Sequence, residues 1–373
     1  MKRSISRMIP SAAHEVHEAR VIVGKDEEVG LGNMQLVALR RSALSVIVAI
    51  LLLWVLAQRR LIEAGALVDV AVNAPGTLVG LGVLLLLPIF VGSIRYQAVL
   101  RAMAKHVPLV PIFAANVISG AVAVWLPASA GVMEVMRFGL VARSTRGGPA
   151  AVSKTDLAVA GLVDRLLGMA AIALVGLFGS LYLLVTAGAG RGGGIWVIVV
   201  MTALLAAGCA LPFAAVRLPQ VERATPNAWT SRPLVVLARV KTALRQVELR
   251  SPAFAVASLA SLGISFVSVM TTYLAMRLFA PATPLLAVAL ASPPLTVASV
   301  LPGNIAGFGG NQVAAAIVFG ALGLDAKAAV LASLLLTAIG LVVGSLAAAI
   351  LAPQVWPKGT SVDALMETER ASE

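Results

Sequence analysis

Residues 126–137 read LPASAGVMEVMR, and residues 301–312 read LPGNIAGFGGNQ. Both stretches follow long apolar runs, and both interrupt them with proline, glycine and small polar residues. Proline removes a helical hydrogen bond, and glycine permits backbone conformations that a helix does not use. The two stretches therefore predict two helix breaks, at matching places, in a chain that is otherwise helical.

The composition of the chain is typical of an integral membrane protein. Of its 373 residues, 59% are hydrophobic and only 12% are charged, and the mean hydropathy is +0.95. Soluble domains carry about 25% charged residues. The net charge of +12 comes from basic residues in short segments between apolar runs. There they set orientation and contact anionic lipid, so we expect no nucleic-acid partner and a multi-pass location in the cytoplasmic (inner) membrane.

The apolar runs predict an all-α polytopic fold. A helix needs about 20 apolar residues to cross a bilayer. Six runs fit single crossings, namely 42–58, 70–94, 166–190, 192–216, 251–276 and 328–357. Two further runs, 107–133 and 278–324, contain the interruptions.

The distribution of Lys and Arg indicates how the two interrupted runs lie. Segments 95–105 and 137–154 flank the first run, and both are basic, so both are expected to be cytoplasmic loops. By the same criterion, 278–324 begins and ends outside. We therefore predict about six full transmembrane helices plus two re-entrant helical hairpins that form an inverted repeat, with both termini in the cytoplasm. Eight full crossings, with proline and glycine as ordinary kinks, are the alternative.

The predicted hairpin turns place irregular backbone within the membrane. Their residues are Pro127 and Gly131 in the first turn and Pro302, Gly303, Gly307, Gly309 and Gly310 in the second. Backbone groups without helical partners cannot face lipid, so they must be packed in protein or border a wet cavity. The N-terminal ends of broken helices also attract anions. The pattern thus indicates a binding site between the turns.

Four charged residues are candidates for substrate binding: two just after the first break, and two inside a continuous helical pattern that predicts one helix over 155–187. Glu134 and Arg137 share a helix face, whereas Asp164 and Arg165 are adjacent and need separate partners. A charge at the bilayer centre costs on the order of 3 kcal/mol, which favours a functional role. An intrahelical pair of Glu134 with Arg137, and a structural pair of Asp164 with Arg137, are the open alternatives.

The second motif supplies uncharged candidates, Asn304, Asn311 and Gln312. The sequence contains no P-loop, GxSxG or HExxH motif, so we expect no cofactor, no metal site and no catalytic residue. Residues 1–40 and 353–373 are expected to be cytosolic tails around a membrane domain at 41–352. Within that domain, 217–252 is expected to be a cytoplasmic amphipathic segment on anionic lipid.

Together, LPASAGVMEVMR, the Asp164–Arg165 pair and LPGNIAGFGGNQ resemble the transmembrane region of the lysylphosphatidylglycerol synthase family, a flippase-like domain. The resemblance spans about residues 40–352 and implies a lipid-handling membrane domain. Glu134, Arg137, Asp164, Arg165 and the 302–310 turn match its motifs. Two departures stand out: this chain is expected to lack a synthase domain, and it has Asn311 and Gln312 where the third motif commonly ends in Arg-Glu.

The resemblance and the motifs favour a lipid transporter that acts on membrane lipids with anionic or lipid-linked headgroups. A membrane-embedded lipid or polyprenyl-linked sugar transferase, with Asp164 as base, is the alternative. A third interpretation is a non-transporting accessory subunit that partners a lipid-synthesis enzyme.

Overall fold

The computed structural model describes residues 47–125, 129–145, 152–187, 198–200, 202–208, 244–300, 304–305 and 307–355. The helices are α1 Ile47–Gln58, α2 Ala64–Asn73, α3 Pro75–Ala102, α4 Leu109–Ala123, α5 Ser129–Ser144, α6 Lys154–Ala187, α7 Ile198–Gly208, α8 Pro252–Phe279, α9 Leu285–Val300, α10 Gly310–Ala321 and α11 Ala326–Val355. Two short antiparallel strands, β1 Asn304–Ile305 and β2 Phe308–Gly309, lie between α9 and α10.

Four of these helices are long and apolar enough to cross a membrane. They are α3, α6, α8 and α11, whose most apolar windows have mean hydropathies between 1.9 and 2.5. The prediction of an all-α membrane protein is therefore confirmed, apart from the two-residue strands. The other two predicted crossings, 42–58 and 192–216, are only partly described, and the described parts form the shorter helices α1 and α7.

The outer surface of the bundle is apolar, while several polar side chains are inside. Large hydrophobic side chains such as Trp54, Phe178 and Val342 are more than half exposed. Arg137 and Asp164, in contrast, are only 3% and 2% exposed. This distribution is the reverse of that in a water-soluble protein and suits a lipid environment.

The same order of elements occurs twice in the chain. A long helix (α3) is followed by a pair of short helices (α4 and α5) and a second long helix (α6). Further along, α8, the pair α9 and α10, and α11 repeat this order. Within each pair the two short helices pack against each other, on either side of one interruption.

Hydrophobic clusters show where the ends of the first pair lie. Val107, just before α4, and Val141, near the end of α5, belong to one cluster. That cluster also contains Leu100 near the end of α3, Leu157 near the start of α6 and Ala257 near the start of α8. Both outer ends of the α4–α5 pair therefore lie at the same end of the bundle, which we call the first end.

The ends of the second pair lie in a different cluster. Ala289 near the start of α9 and Phe319 near the end of α10 pack in a cluster with Leu81 of α3, Met276 of α8 and Ala329 of α11. We call this the second end of the bundle. Because α3 runs from the second end to the first and α8 runs from the first to the second, the two groups of helices run in opposite directions.

Two sequence predictions about local structure have clear outcomes. The residues from Thr155 to Ala187 do form one helix, α6, which starts at Lys154. The assignment of Arg95 to a loop was wrong, because α3 continues to Ala102 and Arg95 lies within it. The loop was predicted from charge alone, whereas an arginine that pairs with a carboxylate can lie within a buried helix.

Candidate functional site

A buried aspartate links two helices to α6. Asp164 Oδ1 accepts a hydrogen bond of 2.6 Å from Arg95 Nε on α3. Asp164 Oδ2 accepts a longer one of 3.4 Å from Arg137 Nη1 on α5. The carboxylate of Asp164 is therefore shared between two guanidinium groups, and each of its oxygens is engaged by one of them.

A second carboxylate continues this arrangement toward the surface of the protein. Glu134 forms an ion pair with Arg137 one turn along α5. The other oxygen of Glu134 accepts a 2.7 Å hydrogen bond from Arg165 Nε on α6. The result is one chain of five ionic groups in the order Arg95, Asp164, Arg137, Glu134, Arg165, which we call the charge cluster. Both structural pairs that the sequence left open are thus present in the described structure.

Aromatic packing and close helix contacts fix Arg137 in place. Its guanidinium carbon lies 4.1 Å from the centre of the Tyr96 ring, and Tyr96 is fully buried. Such stacking is favourable for arginine because the ring face is negative. Gly161 on α6 allows the approach, since a Cβ atom there would come within 3.3 Å of Arg137 Nη2 and closer still to the Phe138 ring. Small residues at positions 161 and 168 thus admit the two arginines beside Asp164.

The charge cluster carries an excess of positive charge. Three guanidinium groups face two carboxylates, so one positive charge is not balanced within the cluster. In addition, Arg137 Nε is buried and has no hydrogen-bond partner among the described residues. A buried donor without a partner is costly, so this nitrogen favours an incoming acceptor.

The charge cluster lines a cavity of about 450 Å³. Its walls come from α3, α4, α5, α6 and α11, and four of the five charged residues contribute to them, all except Glu134. Met133, in the first interrupting stretch, and Gly307, in the second, both border the same cavity. The two interruptions that the sequence analysis singled out therefore meet at one space, which we call the charged cavity.

The second interruption is held by hydrogen bonds from its own amides. Asn304 Oδ1 accepts from the Asn311 N–H at 2.8 Å, and Gln312 Oε1 accepts from the Gly309 N–H at 2.6 Å. Gln312 is fully buried and also donates to the carbonyl oxygen of Gly307. These bonds give Asn304 and Gln312 a structural role in the turn, and a role in substrate binding stays a prediction for both.

Glycine is required at two positions of this turn. Gly307 and Gly309 have φ angles of +77° and +112°, which residues with a Cβ rarely adopt. Gly310 lies against Asn304, whose Oδ1 would be 3.2 Å from a Cβ atom at position 310. Gly131, which the sequence assigned to the first hairpin turn, lies within helix α5, near its start. Pro127, Pro302 and Gly303 fall outside the described residues.

Three residues of the site were missed by the sequence analysis. Arg95 was interpreted as an orientation signal, and Tyr96 and Asn116 were not considered. Asn116 lines the charged cavity, donates to Ser93 Oγ at 2.7 Å and has a buried Oδ1 without a partner in the described structure. The available signal for Arg95 was its position in an apolar run that lacks other charges for more than twenty residues before it.

These features define a polytopic membrane protein whose helices line a positively charged cavity. The chain belongs to the family of the lysylphosphatidylglycerol synthase TM region, whose model matches residues 42–348. It is accordingly a membrane protein of a lipid-handling family, as the resemblance implied. No match was found among curated proteins or among solved structures.

Proposed function

We propose that this protein moves a lipid across the membrane by binding its anionic headgroup in the charged cavity. The observation that carries the proposal is the excess positive charge of the charge cluster beside a cavity bordered by both interruptions. Guanidinium groups bind phosphate oxygens through paired hydrogen bonds, and a low-dielectric site strengthens that attraction. The acyl or isoprenoid chains would stay in the bilayer.

The proposed membrane arrangement has two re-entrant pairs that enter from opposite faces. In support, both outer ends of α4–α5 lie at the first end of the bundle, and those of α9–α10 lie at the second. At about 1.5 Å per residue, α4 is about 22 Å long, which is short of the roughly 30 Å hydrocarbon core. By the basic flanks of α4–α5, the first end is cytoplasmic.

Cysteine labelling tests this arrangement. Cys209 is the only cysteine, so its replacement by alanine gives a background without thiols. His106→Cys and Ser144→Cys, placed before α4 and at the end of α5 at exposed positions, are then labelled with an impermeant maleimide. Re-entrance predicts labelling of both positions from the same face. Labelling from opposite faces would refute it.

The geometry supports binding and transport better than catalysis by Asp164. A general base needs a free oxygen lone pair directed at the substrate. Asp164 is 2% exposed, and each of its oxygens accepts a hydrogen bond from an arginine. In the transferase alternative, Asp164 would take up a proton while two guanidinium groups stabilise its charged form, which opposes its action as a base.

Reconstitution into liposomes tests the transport proposal. Fluorescent anionic phospholipids are incorporated, and leaflet exchange is followed by quenching of the outer leaflet. Arg165→Gln removes the excess charge, and because the Arg165 side chain is 44% exposed the fold should tolerate it. Arg277→Gln is the matched control, since Arg277 is an exposed arginine that contacts Tyr273 and the carbonyl oxygen of Pro281 outside the charged cavity.

The expected result is fast exchange with the native chain and with Arg277→Gln, and exchange slowed by at least about tenfold with Arg165→Gln. Tenfold corresponds to the loss of about 1.4 kcal/mol of interaction with the phosphate. No exchange above that of empty liposomes, for any anionic lipid tested, would refute the transport function.

A further inference from the structure

A second cavity lies next to the charged cavity and differs from it in chemistry. Its volume is about 340 Å³, and it is formed by α6, α8, α9, α10 and α11. Half of the residues around it carry a hydroxyl or amide group, and none of the described lining residues is charged. We call it the hydroxyl cavity. Its size is within the range of roughly 300–1,000 Å³ that small-molecule sites occupy.

Four of the hydroxyl groups around this cavity donate their protons to backbone carbonyl oxygens. On α9, Ser292 and Thr296 donate to the carbonyl oxygens of Val288 and Ser292, each at 2.8 Å. On α8, Thr272 donates to the carbonyl oxygen of Ser268 at 3.0 Å. On α11, Thr337 donates to the carbonyl oxygen of Ser333 at 2.8 Å. Each of these four hydroxyl oxygens therefore offers a lone pair, rather than a proton, to a ligand.

An amide adds a further acceptor to the same wall. Asn311 lines the hydroxyl cavity, and its Oδ1 atom is buried without a hydrogen-bond partner among the described residues. A buried acceptor without a donor costs free energy, which a ligand that donates to it would recover. The hydroxyl cavity is therefore rich in acceptors, whereas the charged cavity presents guanidinium donors.

The two cavities share one wall. Thr337 on α11 borders both of them, next to the turn that Gly307 and Gln312 form. A ligand with an anionic group at one end and hydrogen-bond donors at the other would find a complementary environment on each side of Thr337. A phosphodiester lipid headgroup with an uncharged hydroxyl-bearing end has this chemistry.

We propose that the hydroxyl cavity binds the uncharged, hydroxyl-rich end of the lipid headgroup, a polyol or a sugar, and so sets specificity for the lipid. This inference rests on the proposed function. A headgroup that ends in an ammonium group is not matched, because the described lining residues supply no carboxylate to replace its hydration. A headgroup that lacks donors would leave the acceptors unpaired.

A pair of lipids isolates the hydroxyl contribution. Phosphatidylglycerol and phosphatidylmethanol carry the same phosphodiester charge, but only the former has hydroxyl donors beyond the phosphate. Short-chain versions of both are titrated onto the purified full-length protein in detergent, and binding is followed by the increase in thermal stability. We expect the native chain to bind phosphatidylglycerol about tenfold more tightly, as one or two added hydrogen bonds would give.

The variant Thr272→Val with Thr296→Val removes two acceptors and keeps the shape of both side chains. We expect its preference for phosphatidylglycerol to fall clearly below tenfold, while Asn311 and the other acceptors remain. Thr271→Val is the matched control, because Thr271 is the neighbour of Thr272 on α8, donates in the same way to the carbonyl oxygen of Val267 at 2.7 Å and does not line the hydroxyl cavity. We expect it to keep the tenfold preference. The ratio of the two affinities is measured on one preparation, so partial loss of folded protein does not affect it.

Each outcome separates this inference from the transport proposal. Equal binding of the two lipids by the native chain, binding of neither, or an undiminished preference in the double variant would overturn the specificity role. A preference that depends on Thr272 and Thr296, together with no leaflet exchange in liposomes, would leave the binding site in place and remove the transport function. Exchange without any preference would do the opposite.

Discussion

The replacement Asp164→Asn tests whether the side chains of the charge cluster are buried and depend on one another for their stability. The change keeps the size of the side chain and removes its negative charge. In the native chain, one oxygen of Asp164 pairs with Arg95 at 2.6 Å and the other with Arg137 at 3.4 Å. An asparagine would place an NH₂ donor against one of these guanidinium donors, whichever way its amide is turned.

The expected loss of stability follows from the burial of the three side chains. The side chains of Asp164 and Arg137 are each 3% exposed, and that of Arg95 is 12% exposed. Breaking a buried ion pair by removing one partner costs roughly 3–5 kcal/mol, because the other charge stays buried without compensation. Arg137 keeps Glu134 as a partner, so we expect a value near the lower end, about 3 kcal/mol.

Asp156→Asn on the same helix is the matched control. Asp156 pairs with Lys105 at 3.0 Å, but the two side chains are 20% and 38% exposed. Ion pairs of this kind contribute about 0–1 kcal/mol. The two substitutions are chemically identical, so the difference between them reports the environment of the carboxylate alone.

Reversible unfolding in mixed micelles, followed by circular dichroism, gives the free energy of unfolding for all three proteins. We expect Asp156→Asn to lie within about 1 kcal/mol of the native chain and Asp164→Asn to lie about 3 kcal/mol below it, a change of about two orders of magnitude in the folding equilibrium constant. Similar losses for both variants would mean that burial does not distinguish Asp164 from Asp156. The description of Asp164 as a buried carboxylate shared by two arginines would then be incorrect.

Three further predictions concern single positions. Arg165→Gln should change the free energy of unfolding by no more than about 1 kcal/mol, because its side chain is 44% exposed; a loss of several kcal/mol in the same micelle assay would contradict its position at the edge of the charge cluster. Gly120→Leu should place its side chain in the charged cavity, where a Cβ atom meets nothing within 4 Å, and should slow leaflet exchange without changing stability. Gly139 is exposed on α5, and a Cβ atom there also meets nothing within 4 Å, so Gly139→Leu should leave the rate of exchange unchanged. Gly179→Ala should lower the unfolding free energy by about 1–3 kcal/mol, because its Cβ would lie 3.0 Å from the backbone of α9 at Leu286 and Leu290. Gly263→Ala, whose Cβ would meet nothing within 4 Å, should be neutral or slightly stabilising. Equal effects of the two substitutions would refute the close packing of α6 on α9.

The membrane class and the long helices could be predicted from the sequence because their causes are local. A run of apolar residues, such as the one that becomes α8, satisfies its backbone only as a helix in lipid. Ser251 and Pro252 mark its start in the expected way: Ser251 Oγ accepts from the Phe254 N–H at 3.2 Å, and Pro252 occupies the first turn. The family assignment rested on motifs that are contiguous in the chain, so it too was accessible.

The composition of the charge cluster was only half predictable. Glu134 with Arg137 follows from a spacing of three residues, and Asp164 with Arg165 was visible as charge in an apolar helix. Arg95 was assigned to a loop, because the charge rule treats every arginine near the end of an apolar run as an orientation signal. Its pairing with Asp164 joins residues 69 positions apart, a relation that no local pattern encodes.

The sequence by itself determined that the chain is a membrane protein, that its helices break at two matching places and that a few charges are confined to an apolar setting. These properties depend on solvation and backbone chemistry, which act residue by residue. The tertiary structure decided that the two interruptions border one cavity, that three arginines share two carboxylates there and that an uncharged cavity lies beyond Thr337. Those features depend on how distant helices pack, and packing is a property of the whole bundle rather than of any one segment.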